Sequence, residues 1–142
     1  MRHGDVVYVP AGVPHAIGAG VLLAELQEPT DLSIVCEWSG FPIEPGDSHL
    51  GLGWDAAIEA LDLDRHTPVR SLPEEAKEFF WADERAEPAG RFAVWMVLEG
   101  DGTIDGRRAH RGDCFAVPAA VERIEVAGEL RVLRCLGPEA RR

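Results

Sequence analysis

Short runs of apolar residues, each ended by glycine or proline, make up most of this sequence. The run at residues 5–9, for example, is rich in valine and is followed by Pro10 and Gly12. Runs of this kind, bounded by turn residues, are typical of β-strands, and their close spacing favours an antiparallel sandwich or barrel. The pattern predicts strands at 5–9, 21–27, 32–38, 79–84, 92–98, 102–104, 107–110, 114–117, 121–126 and 130–136.

One segment instead has the periodicity of a helix. Trp54, Ile58 and Leu61 recur at helical spacing, alanines lie between them, and no proline interrupts the segment. Alanine has the highest helix propensity, so a helix is predicted over residues 54–61. The proline- and glycine-rich residues 40–53 before it are predicted to form a loop.

Two local signals mark further turns. Ser71 and Glu74 have the spacing of a capping box, which predicts the start of a short helical turn. Asp105 followed by Gly106, between two apolar runs, is a strong signal for a two-residue β-hairpin.

The first and last parts of the chain share a repeated segment. Residues 4–15 and 112–123 both carry Gly-Asp, a valine before proline, Pro-Ala and a following valine, in the same register. Each copy is predicted to form a turn, a short strand and a second turn. The chain is therefore predicted to contain two copies of one β unit.

Composition and charge limit the possible functions. The 142 residues carry a formal net charge of −11, which argues against a nucleic acid or an anionic membrane as partner. No apolar run is long enough to span a bilayer, and no signal-peptide pattern opens the chain, so a cytoplasmic location is expected. Cys36, Cys114 and Cys135 form no CxxC pair and are interpreted as small core residues.

The first repeat resembles the second conserved motif of the cupin superfamily. Its pattern is Gly4, five residues, Pro10, one residue, Gly12, two residues and His15. The glycines allow turn conformations that other residues resist, and the proline ends a strand without needing a ladder hydrogen bond. The resemblance implies a jelly-roll barrel in which the histidine points inward toward a divalent metal ion.

A longer match extends this resemblance. Residues 9–27, with Thr30 and Asp31 after them, are similar to the C-terminal part of type I mannose-6-phosphate isomerases, close to the string PAGxxHAIGxGxxxxExQ. These zinc cupins interconvert mannose 6-phosphate and fructose 6-phosphate. The resemblance implies that His15 is the last zinc ligand, while the family's Gln, His and Glu ligands precede the motif. It also places Val35 where the family has an arginine.

Three residues are the candidate site residues. His15 is the candidate metal ligand; the alternative is a histidine hydrogen-bonded at a barrel mouth. Strand alternation places Glu25 and Gln27 on one face after Val21 and Leu23, which predicts either a polar pair lining the cavity or a strand end in solvent. The family string favours the cavity.

The remaining histidines and the tryptophans are weaker candidates for functional residues. His3, His49, His66 and His110 are expected at the surface, and no His-x-His pair is present. Arg123 takes the place of His15 in the second repeat, so that half is expected to bind no metal. The four tryptophans are expected to pack in the core. They are Trp38, Trp54, Trp81 and Trp95.

Together these observations predict an all-β protein of the cupin jelly-roll type, derived from a two-barrel ancestor and carrying one short helix. Residues 1–38 would be the C-terminal strands of an incomplete first barrel, 39–78 a loop–helix connection and 79–137 a second, metal-free barrel. Absent strands would leave open sheet edges that favour homo-oligomers.

Two functions are compatible with that fold. One is zinc-dependent aldose–ketose isomerisation of a sugar phosphate, such as mannose 6-phosphate and fructose 6-phosphate. The other is a cupin fragment without catalysis that binds sugars or proteins and is completed by another chain or by a homodimer partner.

Overall fold

The computed structural model describes residues 4–27, 32–64 and 74–138. The chain divides into two compact units, each described by itself below. Among the described residues, the first unit contains 4–25 and 32–64, and the second contains 26–27 and 74–138. No described helix is long and apolar enough to cross a membrane.

The second unit is a five-stranded antiparallel sheet. Its strand order is β1-β5-β2-β3, and β4 pairs with the first half of β2. These strands form an open sheet, without a closed barrel among the described residues. The strands are β1 (Trp81–Asp83), β2 (Ala93–Ile104), β3 (Arg107–His110), β4 (Cys114–Val117) and β5 (Val126–Leu136).

Two helical segments complete the described elements. The α-helix α1 covers Trp54–Glu59 in the first unit, and a 3-10 helix covers Glu74–Glu78 in the second. The helix predicted over 54–61 is therefore confirmed, although it ends two residues earlier. The prediction of a mostly β protein with one short α-helix is confirmed for the described residues.

The hairpin between β2 and β3 follows from two residues. Asp105 and Gly106 have φ of 50° and 73°, and Ile104 lies opposite Arg107. Positive φ at both turn positions is the geometry whose twist matches that of the strands, and it confirms the predicted hairpin.

A close approach of two backbones accounts for glycine within the sheet. Gly102 on β2 lies directly opposite Gly128 on β5. A Cβ at Gly102 would lie 2.1 Å from the carbonyl oxygen of Ala127, which is much closer than van der Waals contact allows. The close pairing of β2 with β5 therefore requires glycine here.

The core lies on one face of the sheet. Side chains alternate across β2, so that Ala93, Trp95 and Val97 are buried while Val94 and Met96 are only partly buried. Trp95 is the largest fully buried side chain. The buried core of this unit comprises Ala93, Trp95, Val97, Ile104, Ala109, Val117, Val132 and Leu136.

The predicted strands in the first part of the chain do not form. The described residues 4–27 and 32–38 contain no strand, and only Tyr8 makes an isolated bridge. Apolar side chains of these segments are exposed, including Leu22 at 71% and Leu32 at 80%. The reason is that a strand needs a neighbouring strand to satisfy its backbone N–H and C=O groups, and no described strand pairs with these segments.

Smaller corrections concern the second unit. The strands predicted at 92–98 and 102–104 join into the single strand β2, across an irregularity in register between Val97 and Glu99. Residues 121–125 are not a strand, and β5 begins at Val126 rather than at residue 130. The pairing partner decides these boundaries, because β5 follows β2 along almost its whole length.

The tryptophans and cysteines only partly follow the prediction. Trp95 is buried, whereas Trp38 stacks on Trp54 in the first unit with ring centroids 5.3 Å apart, both half-buried. Cys36 and Cys114 are exposed, so their interpretation as core residues was wrong. Cys135 is half-buried, and burial raises the pKa of its thiol to about 11.

Candidate functional site

Each copy of the repeat closes a turn with the same hydrogen bond, from a valine N–H to the proline carbonyl three residues before it. The Val13 N–H donates to the carbonyl oxygen of Pro10 at 3.3 Å, and the Val121 N–H donates to that of Pro118 at 3.1 Å. The glycine that opens each copy also has a positive φ, 84° at Gly4 and 92° at Gly112. The two copies therefore share the hydrogen bond that closes the turn but not its backbone conformation, because Gly12 has a φ of 82° whereas its counterpart Ala120 has no positive φ.

In the first copy the turn is attached to the segment after α1. Gly12 has φ of 82°, and its carbonyl oxygen accepts a hydrogen bond from the Asp62 N–H at 2.8 Å. A Cβ at Gly12 would lie 3.1 Å from the carbonyl oxygen of Ala60, so this contact is tight for any residue but glycine. The loop that carries His15, three residues later, is held in place by this contact.

His15 is exposed and makes one hydrogen bond that defines its chemistry. Its Nδ1 lies 3.0 Å from the carbonyl oxygen of Val13. A carbonyl only accepts, so Nδ1 must carry the proton in this bond. In the neutral ring Nε2 then has a free lone pair, which is the arrangement that metal-binding histidines adopt.

Glu25 and Gln27 are both exposed, whereas their neighbours Ala24 and Leu26 are half-buried. The alternation predicted from Val21 onward is therefore present only over residues 24–27, because Val21, Leu22 and Leu23 are all exposed, and these residues are not in a strand. Gln27 belongs to the second unit, whereas His15 and Glu25 belong to the first.

The described residues do not assemble a complete metal centre by themselves. Within residues 4–27, 32–64 and 74–138, no group of three or more His, Cys, Asp or Glu side chains could hold a metal ion. His15 has the tautomer of a ligand, but zinc normally takes three or four protein ligands. Any zinc bound at His15 would therefore need further ligands from outside the described residues.

The other predicted surface histidines have local roles. His49 packs edge-on against Trp54 with ring centroids 5.4 Å apart, and its Nδ1 accepts the Gly53 N–H at 3.2 Å. His110 is exposed and lies 2.5 Å from Asp101 through Nδ1. Arg123, at the position equivalent to His15, is exposed, and His3 and His66 lie outside the described residues.

A buried ion pair, which sequence reasoning did not find, crosses the core face of the sheet. The Arg134 guanidinium donates to both carboxylate oxygens of Asp83, at 2.9 and 2.7 Å, and to the carbonyl oxygen of Glu87 at 2.8 Å. Only 9% of the Arg134 side chain is exposed. Partners 51 residues apart leave no local pattern, and the pairing of β1 with β5 brings them together.

This ion pair changes the titration of Asp83. Partial burial raises the pKa of the Asp83 carboxyl, but hydrogen bonds from Arg134 and Trp81, and the charges of Arg134 and Arg85, outweigh it. The pKa of Asp83 is therefore held below its ordinary value, and the carboxylate stays ionised beside Arg134.

Comparison with known proteins found no matching family model, curated protein or solved structure. The functional interpretation therefore depends on the residues of the repeat, on the geometry at His15 and on the charged groups of the second unit.

Proposed function

We propose that this chain is part of a cupin-type, zinc-dependent sugar-phosphate isomerase in which His15 supplies one metal ligand through Nε2. The observation that carries the proposal is the hydrogen bond from His15 Nδ1 to Val13, which leaves Nε2 as the free donor atom. The cupin-like spacing of Gly4, Pro10 and Gly12 before this histidine supports it.

The proposal includes a finer fold than the open sheet. The residues of the two repeats would belong to two jelly-roll barrels, the first of them completed by strands from other polypeptide. The equivalent hydrogen bonds that close the turns at Pro10 and Pro118 support a common ancestry of the two halves. Arg123 at the position of His15 supports a second barrel without metal.

Each residue has a separate part in the proposed site. A zinc ion, when bound, would polarise the carbonyl of a sugar phosphate such as mannose 6-phosphate or fructose 6-phosphate. His15 holds the position of its imidazole through the bond to Val13. Glu25, which belongs to the same unit as His15, presents an exposed carboxylate suited to exchange protons with the substrate.

Replacing His15 by alanine is expected to abolish zinc binding and sugar-phosphate isomerisation together. The zinc content of the purified protein should fall from about one ion per site to none, since a lost ligand leaves the coordination incomplete. Metal analysis by mass spectrometry and an assay that interconverts fructose 6-phosphate and mannose 6-phosphate measure the two effects.

The control is His110→Ala, which removes another exposed histidine and should change neither zinc content nor turnover. Zinc retained in full by His15→Ala would disprove the ligand assignment. A wild-type chain without zinc and without turnover would exclude the isomerase for this chain and leave the second function below.

A second candidate function is that of an interaction module completed by another copy of the chain. Apart from Phe92, all the exposed large apolar side chains among the described residues lie in the first unit, including Leu22, Leu32 and Phe41. The only buried side chains described in that unit belong to Ser48 and Ala57. A unit with so much apolar surface and so small a core is stabilised by covering that surface.

We expect this chain to form dimers or larger homo-oligomers in which the exposed apolar side chains of the first unit are covered. Leu22→Asp places a charge in that surface and should shift the protein toward monomer, whereas Phe92→Asp in the second unit should not. Light scattering coupled to size-exclusion chromatography measures the mass. A monomeric wild-type chain at micromolar concentration would contradict self-association.

A further inference from the structure

A cleft in the second unit is lined by three cationic side chains and one carboxylate. It has a volume of about 560 Å³, within the range of about 300–1,000 Å³ that small-molecule sites occupy. It lies beside β1 and the end of β5, where Trp81 is paired with Leu136. Among the residues that line it are Lys77, Glu78, Trp81, Arg91, Arg134 and Leu136.

Two of the three cations in the cleft already have partners. Arg134 is bound to Asp83, and Lys77 forms an ion pair with Glu74 while its ammonium lies 4.6 Å from the centre of the Trp81 ring. Glu78 also has an interaction of its own. These contacts hold the walls of the cleft together and pair the charges of Arg134 and Lys77. Arg91 is then the cation of the cleft that can bind a ligand.

Arg91 differs from the other two cations of the cleft because its side chain has no hydrogen-bond or ion-pair partner among the described residues. It is half-buried. A guanidinium carries five N–H donors in a planar fork, and partly burying it without an acceptor costs free energy. In a chain with a net charge of −11, three cations around one cleft also depart from the overall composition.

We infer that this cleft binds a small phosphate group, with Arg91 as the residue that anchors it. The guanidinium fork matches two phosphate oxygens. The phosphate is either inorganic phosphate or a phosphate monoester on a sugar. This inference does not depend on zinc or on His15.

The test is calorimetric titration in buffer with a metal chelator, using inorganic phosphate, mannose 6-phosphate and mannose as probes. Phosphate and mannose 6-phosphate should bind, and mannose should not. Tighter binding of mannose 6-phosphate than of phosphate identifies a sugar phosphate as the ligand, whereas equal binding identifies the anion alone. The absence of phosphate binding, or equal binding of mannose, would overturn the inference.

Arg91→Gln should weaken binding of the phosphate probes by roughly tenfold to a hundredfold, because a charged pair of hydrogen bonds is lost. Arg91→Lys keeps the charge but not the fork and should recover part of the affinity. The matched control is Arg111→Gln, an exposed arginine outside the cleft with the same change of charge. If Arg111→Gln lost as much affinity as Arg91→Gln, the binding would be non-specific and the assignment wrong.

Discussion

Trp95→Ala is expected to cost about 3–5 kcal/mol of the free energy of unfolding of the second unit, the usual loss for a buried tryptophan. Trp95 is fully buried in the centre of the sheet, opposite Arg134 on β5 and Phe115 on β4. Removing its indole leaves a cavity between three strands. Urea denaturation followed by far-ultraviolet circular dichroism measures the loss.

Trp95→Phe is the matched control, because the Nε1 of Trp95 is buried without a hydrogen-bond partner in the described structure. Phenylalanine keeps an aromatic ring in the core, although a smaller one. It also removes an unsatisfied hydrogen-bond donor, which offsets part of the stability lost with the larger ring. The phenylalanine variant should therefore lose much less stability than the alanine variant. Equal losses would mean that the indole N–H has a stabilising partner.

Arg134→Met is expected to destabilise the second unit by about 3–5 kcal/mol, the usual cost of breaking one side of a buried ion pair. The substitution leaves the Asp83 carboxylate partly buried without its two-bond partner and leaves the Glu87 carbonyl without its donor. Asp83→Asn with Arg134→Met should lose less than Arg134→Met alone, because no uncompensated charge then remains. Urea denaturation at neutral pH measures all three proteins.

The same ion pair predicts the direction of a pH dependence. The pKa of Asp83 is lowered by folding, so its contribution to stability is complete above the unfolded value of about 3.8 and is lost as the pH falls through the lower folded pKa. Asp83→Asn should lose this acid-dependent part. If Arg134→Met kept the wild-type dependence below pH 4, as followed by urea denaturation, Arg134 would not be the cause of the lowered pKa.

Most of the second unit could be read from local patterns. The bounds of β3 and β4 agree with the predicted strands at 107–110 and 114–117, because alternating side chains and the Asp105-Gly106 turn are local signals. The contacts between charged side chains in this unit could not be predicted from local patterns. Asp83 meets Arg134, and Arg91 stands in a cleft with Lys77, only because distant segments lie together in the sheet.

The candidate site was only partly accessible from the sequence. Its motif pointed to His15 as a metal ligand, but the bond to Val13 that leaves Nε2 free is a property of the folded loop. Glu25 and Gln27 were predicted to share one face of a strand because side chains alternate along a strand. In the structure their exposure alternates with that of Ala24 and Leu26, but these residues do not form a strand.

The two repeats separate what the sequence by itself determined from what only the tertiary structure decided. Both copies carry proline, alanine and valine at the turn, with Ala120 in the place of Gly12, and both close it with the same hydrogen bond, at Val13 and at Val121. Only the second copy forms a strand, β4, because β2 lies beside it and accepts its backbone hydrogen bonds. A turn is satisfied by its own residues, whereas a strand requires a partner that local sequence cannot supply.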